Sequence, residues 1–346
     1  MDITEKLISW YLVNKRDLPW RKTKNPYFIW LSEIILQQTQ VAQGLPYYDA
    51  FTTKFPTVFD LAKAEESQIL KLWQGLGYYS RARNLHASAK YIVEELDGHF
   101  PDTYNEIIKL KGIGDYTASA VASICFNETT AVVDGNVYRA LSRIYGICTP
   151  INTGKGFKEF KALAQELIDK KRPATFNQAI MEFGARQCKP KNPDCNSCPF
   201  SGTCIALQQD RISELPVKLK TLKVKIKHFN FIVILSEDGK TILEKREGKG
   251  IWQNLYQFPL LETKKPSKVN EIENQLKDFS ILKNKTFSVS IYNETPIIHK
   301  LSHQHLNTTF WIVTADSKLQ QGVFVDKITD FPVPILIANF IKSFNF

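Results

Sequence analysis

Four cysteines, Cys188, Cys195, Cys198 and Cys204, fall in one short stretch with the spacing C-x6-C-x2-C-x5-C. Four soft thiolates on a single loop can wrap a cubane 4Fe–4S cluster, and Pro190, Pro193, Pro199 and Gly202 bend the chain between them. Tetrahedral zinc is the competing ligand, but four-cysteine zinc sites usually come as two close pairs, and only Cys195 and Cys198 form one here. The spacing therefore favours iron and sulfur. Cys125 and Cys148 sit in apolar contexts and read as packed core thiols.

Two carboxylates have surroundings that would push them towards different roles. Glu33 lies in the apolar run Trp30-Leu-Ser-Glu33-Ile-Ile-Leu36, with Gln37 and Gln38 as nearby polar company. A Glu on such a helix ordinarily faces solvent; if it is buried instead, its pKa rises and it can donate a proton. Asp134 follows Ala131-Val-Val133 and precedes Gly135-Asn-Val-Tyr-Arg139, the start of a helix, so it reads as an N-cap. Capping is expected to lower its pKa through the helix N–H groups and dipole. One acid and one lasting anion are what cleavage of a glycosidic bond through an oxocarbenium-like transition state requires.

A third feature is Leu110-Lys-Gly-Ile-Gly-Asp-Tyr116, in which Gly112 and Gly114 flank one apolar residue ahead of a small-residue helix. Tight backbone turning there would present N–H groups to a phosphate at a helix N-terminus, with an ordinary helix–helix turn as the plainer alternative.

These residues need a frame to position them. Up to about Asp210 apolar residues recur every three or four positions, as in 65–73 and 157–168, with turn signals at Asn25-Pro26, Gly98-His-Phe-Pro101 and Arg172-Pro173. A Lys-rich stretch at 215–228 lacks a helical stripe and reads as an extended linker or edge strand, either along a phosphate backbone or as a solvated tether. Beyond His228, strand-like runs occupy 229–235, 241–246, 286–291 and 308–314, with helices expected at 269–279 and 335–344. Two domains follow, all-α and then α+β. The first is expected at 1–212, within which the family resemblance given below implies a six-helix part at about 25–130 and a cluster part formed by 1–24 and 131–212; 213–227 would link it to 228–346.

The 346 residues, 43% of them hydrophobic, suffice for two cores, and the net charge of +10 suits a polyanionic partner as well as a merely lysine-rich surface. The N-terminus lacks the apolar core of a signal peptide, and no apolar run approaches the roughly 20 residues of a membrane span. An intracellular protein with reduced thiols is expected, in which clustered cysteines mean metal rather than disulfides.

Taken together, the hairpin, Val133-Asp-Gly-Asn-Val137 and the four-cysteine loop resemble the endonuclease III superfamily of helix–hairpin–helix glycosylases. Asp17-Leu-Pro-Trp-Arg21, Trp30 through Gln40 and Gly75-Leu-Gly-Tyr-Tyr-Ser-Arg-Ala-Arg-Asn-Leu85 are similar to its adenine-excising branch across nearly the whole chain. The resemblance implies removal of adenine mispaired with 8-oxoguanine or guanine in double-stranded DNA, during base excision repair, by a monomeric cytoplasmic enzyme associated with a bacterial nucleoid. It implies that Glu33 protonates the adenine ring and manages the attacking water. Asp134 would stabilise or trap the sugar cation, supported by Asn136. Arg21 and Gln178 would lie near the flipped adenine, and Gln38, Thr39 and Tyr78 at the lesion, with Tyr78 as a wedge. Tyr116 occupies the hairpin position where lyase-competent relatives carry lysine, so no Schiff base is expected. Lys111 stands where the hairpin usually carries proline and would add a phosphate contact.

The second domain is similar to the MutT/Nudix-like module of the family. Its segment His299-Lys-Leu-Ser-His-Gln-His-Leu306 would inspect 8-oxoguanine through Ser302 and His303, although Leu301 stands where a Phe is usual. No metal-binding Nudix box follows 250–259, so nucleotide hydrolysis is not expected. Two other readings remain open at this level, a bifunctional pyrimidine glycosylase–lyase and a DNA-binding iron–sulfur protein without catalysis.

Overall fold

The computed structural model describes residues 2–219, 224–344 and 346. Contacts divide the chain into two compact units, Met1–Lys63 with Asn84–Lys220, and Ala64–Arg83 with Thr221–Phe346. Ala64–Arg83 packs with the later unit, a long-range pairing that local periodicity does not encode.

Helices fill the region up to Gln208, in the order α1 (Ile3–Asn14), α2 (Pro26–Leu36), α3 (Val41–Lys54), α4 (Val58–Lys63), α5 (Glu66–Leu72) and α6 (Ser80–Glu95). They continue as α7 (Tyr104–Ile107), α8 (Asp115–Phe126), α9 (Gly135–Tyr145), α10 (Gly154–Leu167), α11 (Pro173–Arg186) and α12 (Ile205–Gln208). At the start of α2, Asn25 Oδ1 accepts from the Tyr27 N–H at 2.9 Å and Pro26 takes the first helical position, where no N–H is needed. The helix is buried over eight of its residues, including Ile29, Trp30, Leu31, Glu33, Ile34 and Ile35, and it packs on α3 and α8. Its partner α8 is built from Ala118, Ser119, Ala120, Val121, Ala122 and Ser123, small side chains that let backbones approach. Helix α11 touches α1, α8 and α9, and burial of Phe176, Ile180 and Phe183 anchors it there.

In the second unit, β1 (Lys225–Ser236) runs parallel to a long later strand and is buried on both faces through its centre, as befits a covered sheet. The other strands are β2 (Lys240–Thr241), β3 (Glu244–Lys245), β4 (Tyr256–Gln257), β5 (Leu260–Thr263), β6 (Phe287–Ile291), β7 (Ile297–Lys300), β8 (Gln304–Ala315) and β9 (Val323–Phe324). The main sheet has the order β5-β1-β8-β6, and β7 pairs with the other half of β8. On one face Ile232, Ile234, Trp311 and Val313 meet Ile272 and Leu276 of α13 (Val269–Leu276). On the other, Phe231 and Phe310 stack at 5.4 Å, and Phe310 stacks on Phe340 of α14 (Ile335–Phe344) at 4.0 Å.

Three local expectations change. The run at 241–246 is two short strands in different sheets rather than one. Strand β1 begins at Lys225, inside the stretch read as a linker or edge strand, and it is an inner strand because β8 supplies a partner from Gln304 onward and β5 pairs on its other side; positions 220–223 of that stretch lie outside the described residues. Cys148 is exposed rather than packed, and its sulfur accepts from Arg211 at 3.2 Å.

Candidate active site and cysteine loop

Because α2 is buried around nearly its whole circumference, Glu33 has no solvent face to occupy and is 8% exposed. Burial raises its pKa to about 7, and the Asp134 charge pushes the same way, while a hydrogen bond with Tyr116 and the charge of Arg21 pull it down. A carboxyl with that pKa exists in both protonation states near neutrality, the condition for general acid–base work. Tyr116, on the first turn of α8, stays protonated because burial and the two carboxylates raise its pKa well above the usual value. Its hydroxyl also lies 3.1 Å from the Met181 sulfur, a weaker acceptor than the Glu33 carboxylate.

Asp134 caps α9. Its Oδ1 accepts from the backbone N–H groups of Asn136 and Val137 at 2.9 and 2.8 Å, and its Oδ2 accepts from the Asn136 side chain at 2.7 Å. The expected net lowering of its pKa is reversed: burial is the largest influence and raises it, against these hydrogen bonds and the nearby Arg139 charge. The cap is present as the sequence suggests, but a cap pattern carries no information about how much solvent the fold removes.

Sequence reasoning passed over Arg139. Its guanidinium donates to Asn136 Oδ1 at 2.8 Å, to the Gly184 carbonyl at 2.6 Å and to the Cys188 carbonyl at 2.7 Å. Asp134, Asn136, Arg139 and the first cysteine of the loop are thereby joined in one hydrogen-bonded chain. Four residues on, the buried Arg143 donates to the carbonyls of Leu215, Lys189 and Pro190 and to the Cys188 sulfur at 3.6 Å. The i, i+4 spacing of these two arginines behind the Asp-Gly-Asn cap was the available signal.

The four cysteines line one pocket, walled by Ile144, Phe183, Phe200, Leu207 and Ile212. Among the described residues, no three His, Cys, Asp or Glu side chains are drawn together to hold a single metal ion. The donor chemistry nevertheless fits a polynuclear cluster. The cavity contributes four sulfurs and an apolar wall, and Arg143 places a buried positive charge beside a group that becomes anionic on metal binding.

Arg21 and Gln178 both have partners. Arg21 donates to Glu182 at 2.8 Å, and Glu182 also receives Arg16 through two guanidinium bonds at 2.8 and 2.6 Å. Glu182 is 1% exposed, and despite burial these arginines depress its pKa to about 2. Gln178 Oε1 accepts from the Tyr11 hydroxyl at 2.5 Å, and Arg21 lies over the Tyr11 ring at 5.5 Å. Both groups therefore belong to one polar layer whose charge reaches Glu33.

In the hairpin, Gly112 has φ +80°, and a Cβ there would meet Asn84 at 2.6 Å, so glycine is required twice over. Gly114 differs: its φ is −106° and a Cβ would touch nothing within 4 Å, which leaves open space at the N-terminus of α8. Ile113 is buried as the anchor, and Lys111 is exposed while its carbonyl accepts from Ser88. Gln38, at φ +53°, is exposed just after α2, and Thr39 Oγ1 donates to the Gln37 carbonyl. In the second unit, the Tyr78 and Ser302 hydroxyls are 2.5 Å apart, and His303 is exposed beside them in the β7–β8 turn.

Residues 31–169 match the HhH-GPD superfamily of base excision DNA repair proteins, and residues 230–343 match the NUDIX domain. An adenine DNA glycosylase of Buchnera aphidicola (from Schizaphis graminum) is 37% identical over 262 residues, 75% of each chain. An adenine DNA glycosylase of Rattus norvegicus is 47% identical over 61% of this chain, which spans only 43% of the rat protein. Among solved structures, a thermostable thymine-DNA glycosylase superposes with a TM-score of 0.55 at 30% identity, covering 60% of this chain and 95% of that one.

Proposed function

The chain belongs to the adenine DNA glycosylase family, DNA-repair hydrolases of N-glycosyl bonds, and from that premise we propose that it excises adenine paired with 8-oxoguanine or guanine in duplex DNA, as a monofunctional enzyme. The observation that carries this reading is the pairing of Glu33, with a pKa of about 7, and Asp134, held by three hydrogen bonds at the start of α9.

In this mechanism the protonated Glu33 donates to a ring nitrogen of the flipped adenine, which turns the base into a neutral leaving group. Asp134 lies where positive charge develops on the sugar, and its anionic form stabilises or traps the oxocarbenium ion. Asn136 holds Asp134 Oδ2 and so fixes which oxygen faces the sugar. Once ionised, Glu33 accepts a proton from the attacking water. Tyr116 donates to Glu33 and offers no amine for a Schiff base, which supports hydrolysis without strong strand cleavage. Arg21 and Gln178 border the adenine, while Gly112, Gly114 and Lys111 bind phosphate.

Cys188, Cys195, Cys198 and Cys204 would hold a 4Fe–4S cluster. It would supply a rigid, charge-bearing node that keeps the loop carbonyls in place for Arg139 and Arg143. We assign the catalytic role to the helical domain at 1–212 and inspection of the base opposite adenine to 228–346 through Ser302 and His303, with Gln38, Thr39 and Tyr78 also meeting the lesion. The enzyme is proposed to act as a monomer in the bacterial cytoplasm.

A single-turnover assay on a duplex containing adenine opposite 8-oxoguanine tests the proposal. Wild type should release adenine, and Glu33→Gln should bind the duplex but release almost none. A wild-type protein that releases no adenine from this duplex, or a Glu33→Gln variant that keeps full activity, overturns it.

A further inference from the structure

The loop that carries Tyr78 is held in an unfavourable backbone conformation by neighbouring side chains, Arg81 foremost. Gly75, Gly77 and Tyr78 all have positive φ, at 105°, 71° and 45°. The last is the costly one, because a bulky non-glycine residue in the left-handed region persists only where its surroundings enforce it. Tyr78 is also half-exposed, so core packing does not enforce it.

Arg81 supplies the constraint. Its backbone N–H donates to the Tyr78 carbonyl at 2.9 Å. Its guanidinium donates to the carbonyls of Leu76 and Gly77 at 3.3 and 3.4 Å, and the Trp73 indole N–H shares the Gly77 carbonyl at 3.0 Å. The same guanidinium lies 5.1 Å from the Trp73 ring centroid and 5.9 Å from that of Tyr78, within cation–π reach of both. At its far end the Tyr78 hydroxyl meets Ser302. One arginine thus grips the backbone before Tyr78, the carbonyl of Tyr78 and the face of its ring.

We propose that Arg81 is a positioning residue for discrimination of the base opposite adenine: it holds Tyr78 at a left-handed backbone angle so that the ring and hydroxyl stand ready to meet the duplex. This rests on the reading that Tyr78 senses the lesion. Arg81 itself touches no DNA in this account. Its planar fork does what an ammonium cannot, since two carbonyls and two ring faces are engaged at once.

The test compares Arg81→Gln with Tyr78→Ala, measuring single-turnover adenine release opposite 8-oxoguanine and opposite guanine, with melting temperature recorded alongside. Both variants should lower the ratio of the two rates, Arg81→Gln by about tenfold, as expected for loss of a desolvated cation–π contact and its hydrogen bonds. The double variant should fall no further than Tyr78→Ala alone. A purely structural role would lower the melting temperature and both rates together, leaving the ratio intact. That outcome for Arg81→Gln, with the ratio reduced in Tyr78→Ala, overturns the inference while sparing the reading of Tyr78. An unchanged ratio in both variants overturns the reading and the inference with it. Arg81→Lys keeps the charge without the planar fork. It should show an intermediate ratio, and it provides the same comparison if Arg81→Gln does not fold.

Discussion

The Asn136 side-chain amide donates to Asp134 Oδ2 at 2.7 Å while its own oxygen accepts from Arg139 at 2.8 Å, so its orientation is set from both ends. An amide fixed in this way cannot flip, and Asp134 Oδ2 always meets a donor. Asn136→Ala leaves that oxygen without its side-chain partner in a largely desolvated site. The single-turnover rate should fall about 10- to 100-fold, the value of one hydrogen bond to a charged group, with duplex affinity little changed. Equal rates for variant and wild type would show that Asp134 needs no such support.

Glu33 sets a pH dependence. With its pKa near 7, adenine release should be fastest below neutrality and fall as pH rises through 7, because the donating form disappears. Tyr116→Phe removes a hydrogen bond that lowers this pKa, so the descending limb should move to higher pH. A pH–rate profile of both proteins under single-turnover conditions decides the direction. A limb that moves to lower pH contradicts this account of the pair.

Stability should depend on Glu182 in the acid range. Its folded pKa of about 2 lies below the ordinary value of 4.5, so the folded state holds fewer protons than the unfolded chain between those values. The stabilisation is complete above pH 4.5 and drains away as pH falls towards 2. Glu182→Gln leaves Arg16 and Arg21 without their shared carboxylate and should cost about 3 kcal/mol at neutral pH. Denaturant melts at several pH values should show a shallower acid dependence for the variant, together with the loss at neutrality.

The two hairpin glycines should behave differently. Gly112→Ala forces a Cβ onto Asn84 at a positive φ and should lower the melting temperature. Gly114→Ala fits the fold without a clash, so any loss of duplex affinity reports an approaching phosphate. Weaker duplex binding with the melting temperature unchanged is the expected signature for Gly114→Ala. Unchanged affinity would remove this turn from the phosphate contacts.

Cys198→Ala should abolish the visible absorbance of a bound cubane cluster, and the melting temperature should drop because Arg143 and Arg139 lose a rigid loop to hold. Iron and sulfide analysis of the purified wild type checks the premise directly. Stoichiometric zinc in place of iron would overturn it.

Residue type and spacing determined much of this protein by themselves. The cysteine spacing, the Asp-Gly-Asn cap and the Gly-Ile-Gly turn are local patterns, and local patterns need no distant partner to be legible. Helical periodicity placed α5 and α10, and runs of β-branched and aromatic residues placed the long strands, for the same reason. Tertiary structure decided what depends on residues far apart in sequence. Burial of α2 on both sides made Glu33 an internal acid rather than a surface one, and burial reversed the expected shift of Asp134. The parallel partner β8 turned the end of the basic stretch into a strand, and packing joined Ala64–Arg83 to the later unit. Hydrogen-bonded chains such as Asp134, Asn136, Arg139 and the Cys188 carbonyl became visible only once α9 and the cysteine loop were folded together, because a backbone acceptor leaves no mark in the sequence.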